Sequence, residues 1–118
     1  MRLIIMMIAM AMTISAAMAD DLEDAHRQAL AARDAYWNCL ARQYTRDNNK
    51  MSEPDFTSLI ASVCASERQN FRVSLVDYFV MQFPNVDAGA HLTTANHAIE
   101  LAQKDIVTAF IKRRGTPK

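Results

Sequence analysis

Two cysteines, three histidines and thirteen carboxylates are the groups of this 118-residue chain that could ligate a metal, move protons or form covalent bonds. Cys39 and Cys64 stand 25 positions apart. A redox-active or metal-ligating pair needs the close spacing of a C-x-x-C, or further ligands beside it. The chain has neither, and without a C-x-x-C-H it offers no covalent haem attachment. What the spacing suits is a structural bridge. Two cysteines allow a single intramolecular pairing, and closing such a loop restricts the unfolded chain by about 3.5 kcal/mol on the entropy model.

Glu23 and His26 form one Glu-x-x-His, the spacing that sets two ligands on one helix face in carboxylate-bridged metal bundles. Those sites require two such motifs and further glutamates. A layer of His26, Asp77 and His97 is conceivable from helix register alone, but His26 and His97 fall off the apolar seams traced below and read as solvated surface groups. No metal or cofactor is expected. Ser52, Ser58, Ser62, Ser66 and Ser74 fall at or within helical stretches and lack the glycine elbow of a hydrolase nucleophile. No catalytic residue is assigned, and the expectation is a non-enzymatic protein.

Composition narrows the field further. Thirteen basic and thirteen acidic side chains cancel, which argues against a nucleic-acid binder with a concentrated positive face. Two glycines and three prolines are too few for the turns of an all-β sandwich or for a phosphate-cradling loop.

The elements that carry these residues begin with a leader. Met1 and Arg2 precede an apolar run from Leu3 to Met12, and the segment closes on Ala17-Met18-Ala19 before Asp20 and Asp21. This is the layout of a secretory signal peptide over 1–19, cleaved after Ala19. The competing reading is a retained anchor, because Leu3 to Ala19 approaches the minimum that crosses a hydrocarbon core of about 30 Å. Export places the protein in the periplasm or outside the cell, where a cysteine pair is oxidised. Once the leader is gone, nothing in the charge balance suggests attachment to a membrane.

Residues 20–118 read as one all-α domain with helices at about 21–47, 53–83 and 90–113. Leu22, Ala25, Ala29, Ala32, Tyr36, Cys39 and Gln43 recur in steps of three and four, a helix seam. Asp20, Asp21, Glu23 and Asp24 crowd its start, Arg42 and Arg46 its end, and Asp47-Asn48-Asn49 supplies a turn. Ser52 offers an N-cap with Pro54 in the first turn. The next seam carries Phe56, Ile60, Val63, Cys64, Phe71, Leu75, Tyr78 and Phe79 and stops at Phe83-Pro84-Asn85. After Asp87-Ala88-Gly89 a third seam runs through Leu92, Ala95, Ile99, Ala102, Ile106 and Ala109, with Phe110 beside it, toward Lys112, Arg113 and Arg114; Gly115 and Pro117 release a tail. Short links make sequential helices antiparallel, so the expected architecture is an up-down-up three-helix bundle. A first turn centred between residues 51 and 52 leaves Cys39 and Cys64 level, as a bridge requires, and brings Ala25 near Tyr78 and Ala29 near Ser74.

Aromatic and apolar residues exceed what one seam needs. Tyr36, Phe71 and Tyr78 fit the core, whereas Trp37 lies one step off its seam, able to close a groove or to stand as an interface anchor. The second helix carries Val73, Val76, Val80 and Phe83 beyond the stripe that faces the first. Trp37, Val76, Val80 and Phe83 are therefore the candidate interface.

Ala35-Tyr36-Trp37-Asn38-Cys39-Leu40 and Val63-Cys64-Ala65-Ser66-Glu67-Arg68 together resemble a group of small exported helical proteins of proteobacteria. These combine a signal peptide, an aromatic shortly before a first cysteine and a second cysteine about two dozen residues later. The resemblance spans the first two helices and implies location and a disulfide hairpin rather than an activity. A looser likeness is to small periplasmic acid-stress chaperones, which are helical, disulfide-bonded and carry tryptophan close before a cysteine; this chain departs from them in its shorter cysteine separation and in lacking a lysine-rich body. The resulting expectation is an envelope module that binds another envelope protein or itself. The alternatives are an acid-stress chaperone and an inhibitor or immunity protein against a cell-wall enzyme.

Overall fold

The computed structural model describes residues 2–45 and 50–115, with side chains from 19 to 45 and from 50 to 114. Among them are four helices and no strand: α1 (Arg2–Ala41), α2 (Glu53–Ser62), α3 (Ala65–Gln82) and α4 (Ala88–Gly115). The chain is all-α, and Cys39 and Cys64 are bonded, with their Cα atoms 6.1 Å apart.

Helix α1 is longer at its start and shorter at its end than the expected 21–47. It runs unbroken from Arg2, so Asp20 to Asp24 lie within it; only cleavage after Ala19 would make them a first turn facing the positive end of the helix dipole. The side chains of the apolar run and of Ala17-Met18 are outside the described residues. At the other end the helix stops at Ala41. Gln43 donates through Nε2 to the Cys39 carbonyl at 3.3 Å, and Tyr44 turns inward so that its ring meets Phe110 edge-on at 5.2 Å. The expected turn at Asp47-Asn48-Asn49 is outside the described residues, as is Pro117 of the expected tail.

The single helix expected over 53–83 is two. Ser52 does cap it, accepting from the Asp55 amide at 3.2 Å with Pro54 in the first turn. At the bridge, however, Val63 is extended and Cys64 is left-handed, at φ 59° and ψ 41°. That region costs an L-residue of this kind roughly 1–2 kcal/mol, and the surroundings hold it in place. Arg68 Nη1 donates to the freed Ala61 carbonyl at 2.6 Å and reaches that of Val63 at 3.3 Å. The bundle therefore has four helical segments rather than three, with α2 and α3 as offset halves of one descending arm.

The two halves serve different neighbours. Below the bridge α3 lies antiparallel between α1 and α4, with His26 stacked on Tyr78 at 4.9 Å and Arg72 Nε donating to Asn96 Oδ1 at 2.7 Å. Above it α2 packs on the end of α4, where Phe56 and Phe110, both fully buried, stack at 3.9 Å. Tyr36 ties α1 to α4 by accepting from Gln103 Nε2 at 3.0 Å. The core runs through Tyr36, Leu40, Phe56, Ile60, Phe71, Ile99, Ala102, Ile106 and Phe110.

On α4 the seam is buried at Ala95, Ile99, Ala102 and Ile106, where the spacing puts it, and shifts by one residue only at its two ends. His91 is buried and Leu92 is 44% exposed; Phe110 is buried and Ala109 faces outward. His91, Ala95, Ile99, Ala102, Ile106 and Phe110 form an equally regular three-four series, with an imidazole where an apolar pattern favours leucine.

Candidate protein-binding surface

The surface that the fold leaves apolar lies where α3 ends. Its core stripe, Phe71, Leu75, Tyr78 and Phe79, turns toward α1 and α4. A second stripe follows at Val73, Val76 and Val80 and ends in Phe83; no further helix covers it among the described residues. Val73, Val80, Met81 and Phe83 are each 41–51% exposed, and Val86 on the turn and Leu92 in the first turn of α4 are exposed as well. Contiguous exposed apolar side chains of this kind mark interaction sites more often than isolated ones do.

The turn that presents Phe83 is fixed. The Phe83 amide closes α3 on the Phe79 carbonyl at 2.7 Å, and Pro84 forbids another turn. The Phe83 carbonyl then receives the Val86 amide at 3.2 Å and lies 3.0 Å from His91 Nε2. A carbonyl only accepts, so Nε2 carries the hydrogen. The His91 ring is buried beside Phe79, with ring centres 6.1 Å apart. Asp87 starts α4 by accepting the Gly89 amide on Oδ2 at 3.1 Å. A buried imidazole thus anchors the loop from below while the phenyl ring points outward.

Beside this turn a cavity of about 490 Å³ opens between the two helices, walled by Ala19 and Leu22 of α1 and by Val80, Met81 and Pro84. An adjoining hollow of about 540 Å³ shares Val80 and Met81 and is edged by Asp21, Asp24, Asp77 and Gln28. Asp24 pairs with Arg27 on the exposed helix surface, an arrangement that contributes little in water. The opposite end of the bundle is basic: Arg113 lies over the Tyr44 ring at 4.9 Å, and Arg114 lies over Phe110 at 5.3 Å while donating to the Met51 carbonyl.

Of the four expected interface residues, Val80 and Phe83 stand at this site and Val76 is half-buried one turn above it. Trp37 is elsewhere. It is half-buried against the core and borders a separate hollow with Arg33, Asp34 and Asn38. Spacing places Leu22 and Leu92 in seams and leaves Met81 and Val86 unmarked, because which stripe of a helix stays uncovered depends on where its neighbours stop. The Leu22 side was legible only as part of a seam.

The layer of His26, Asp77 and His97 is not assembled. The contacts from Phe79 to His91 and from Arg72 to Asn96 set His97 about one helical turn from the level of Asp77, and His26 is spent on Tyr78. Among the described residues, the group of three potential ligands close enough to share an ion is Cys39, Cys64 and Glu67, where both sulfurs are already in the disulfide. No described helix is long and apolar enough to cross a membrane.

No protein-family model matches the chain, and no curated protein and no solved structure is significantly similar to it. What the fold and the surface define is a disulfide-stapled helical bundle with an apolar, acid-edged end.

Proposed function

We propose that the chain is an exported, non-enzymatic protein-binding module of the cell envelope, acting in the periplasm or outside the cell after loss of residues 1–19. The observation that supports this reading is the run of half-exposed apolar side chains, Val80, Met81, Phe83 and Val86, held by a pinned turn on a stapled scaffold. Grouped at one turn, these four offer a partner an apolar contact surface. The test is crosslinking in living cells that produce the full-length chain. A defined adduct should form with the parent protein and vanish with Phe83→Ser combined with Val80→Thr, while the helical circular-dichroism signal stays unchanged. Adducts that survive the double substitution would refute the assignment of this surface.

An acid-stress chaperone is the second reading, favoured by one feature. Asp21, Asp24 and Asp77 edge the same apolar groove, and their charge keeps water around it. At about pH 3, where carboxylates as a class are largely protonated, the protein would on this reading suppress light scattering by an aggregating client. Unchanged scattering would exclude it.

A further inference from the structure

The groove between α1 and the end of α3 combines two properties that together name a partner chemistry. Its walls are apolar, through Leu22, Val80 and Met81, and its edge carries the carboxylates of Asp21, Asp24 and Asp77. We propose that it docks a cationic amphipathic helix of another protein, with large apolar side chains entering the groove and lysines or arginines facing the acidic edge. The inference rests on the protein-binding reading above and specifies its partner.

Charge decides among the occupants such a groove could take. An anionic bilayer surface attracts basic segments and repels carboxylates, so the acidic edge works against seating on lipid headgroups. A second copy meeting this face through a twofold axis would set the same carboxylates opposite one another, since such an interface pairs a patch with itself. A basic amphipathic segment satisfies both halves of the site at once, and helix-in-groove recognition reads apolar anchors along one helix face. Of the described walls, cleavage after Ala19 would remove Ala19 and leave Leu22, Val80, Met81 and Pro84.

The experiment uses the protein recovered from cells producing the full-length chain, with its disulfide intact. The probes are two synthetic helices of about five turns, identical in their leucine face and carrying either lysines or glutamates on the other. Fluorescence anisotropy at low salt should show the lysine peptide binding several-fold more tightly, the size expected when exposed charge pairs form at Asp21 and Asp77, Asp24 being already paired with Arg27. The preference should shrink as salt screens it. Asp21→Asn, Asp24→Asn and Asp77→Asn together should abolish the preference, and Val80→Thr with Met81→Gln should weaken both peptides. All five positions are solvent-accessible, so the fold should be retained. Equal binding of the two peptides, indifference to the groove substitutions, or preferential binding to vesicles containing anionic lipid would each overturn the proposal. Failure of peptide binding beside a Phe83-dependent cellular adduct would refute the partner chemistry alone, whereas failure of both would also remove the protein-binding function.

Discussion

Removing both sulfurs asks whether the break between α2 and α3 belongs to the chain or to the bond. The Cys39–Cys64 bridge closes a span of 25 residues, so losing it should release about 3.5 kcal/mol of unfolded-state restriction. A domain of this size has about 5–15 kcal/mol in total, and it should remain folded with a much lower Tm. The residue chosen for position 64 then discriminates. Cys64 sits at φ 59°, a conformation that glycine adopts freely and alanine does not. If the break persists without the bond, Cys39→Ala with Cys64→Gly should be more stable than Cys39→Ala with Cys64→Ala by about 1 kcal/mol. If the arm instead straightens into one helix, the order reverses, because glycine inside a helix costs about 1 kcal/mol relative to alanine. The two cases differ by about 2 kcal/mol, well within the resolution of urea denaturation followed by circular dichroism. The break should persist. Arg68 remains to cap the freed carbonyls of Ala61 and Val63, and Phe56 and Ile60 remain buried above the level at which α3 packs on α1. An alanine variant as stable as the glycine variant, or more so, would refute this reasoning.

Other expectations follow from particular contacts. Phe56→Ala should destabilise the protein by about 3–5 kcal/mol, because the ring is fully buried and stacked on Phe110; in the same denaturation assay Phe83→Ser should shift stability by less than about 0.5 kcal/mol. Tyr36→Phe deletes the hydroxyl that accepts from Gln103 and should cost about 1 kcal/mol with no change in secondary structure. His91→Leu keeps the apolar contact with Phe79 but removes the donor to the Phe83 carbonyl, so hydrogen exchange should accelerate at Val86 and Ala90 first and leave the amides around Ile106 protected. Intact-mass measurement of the protein recovered from the periplasm or medium should return residues 20–118; a chain retaining residues 1–19 in the membrane fraction would refute export with cleavage.

The seams of α1 and of the arm around Phe56, Ile60 and Phe71 were legible in the sequence because helical periodicity is local: each residue's face depends only on those three and four positions away. The Ser52 cap and the stop at Phe83-Pro84 are equally local. The cysteine pairing needed only the count, since two cysteines in one chain have one way to join. Tertiary structure decided what depended on distant partners. Apolar spacing continues through Val63 and Cys64, so nothing nearby announces a left-handed residue; the break exists because α2 and α3 pack against different stretches of the bundle. His91 displaced Leu92 from the α4 seam because Phe79 and the Phe83 carbonyl offered the imidazole both a ring and an acceptor. The register of α3 on α4 also carried His97 away from the level that His26 and Asp77 share. The placement of the helices left Val80, Met81 and Phe83 beyond the reach of a covering helix, so the apolar surplus was legible in the sequence, but its place in the molecule was set by where the neighbouring helices lie.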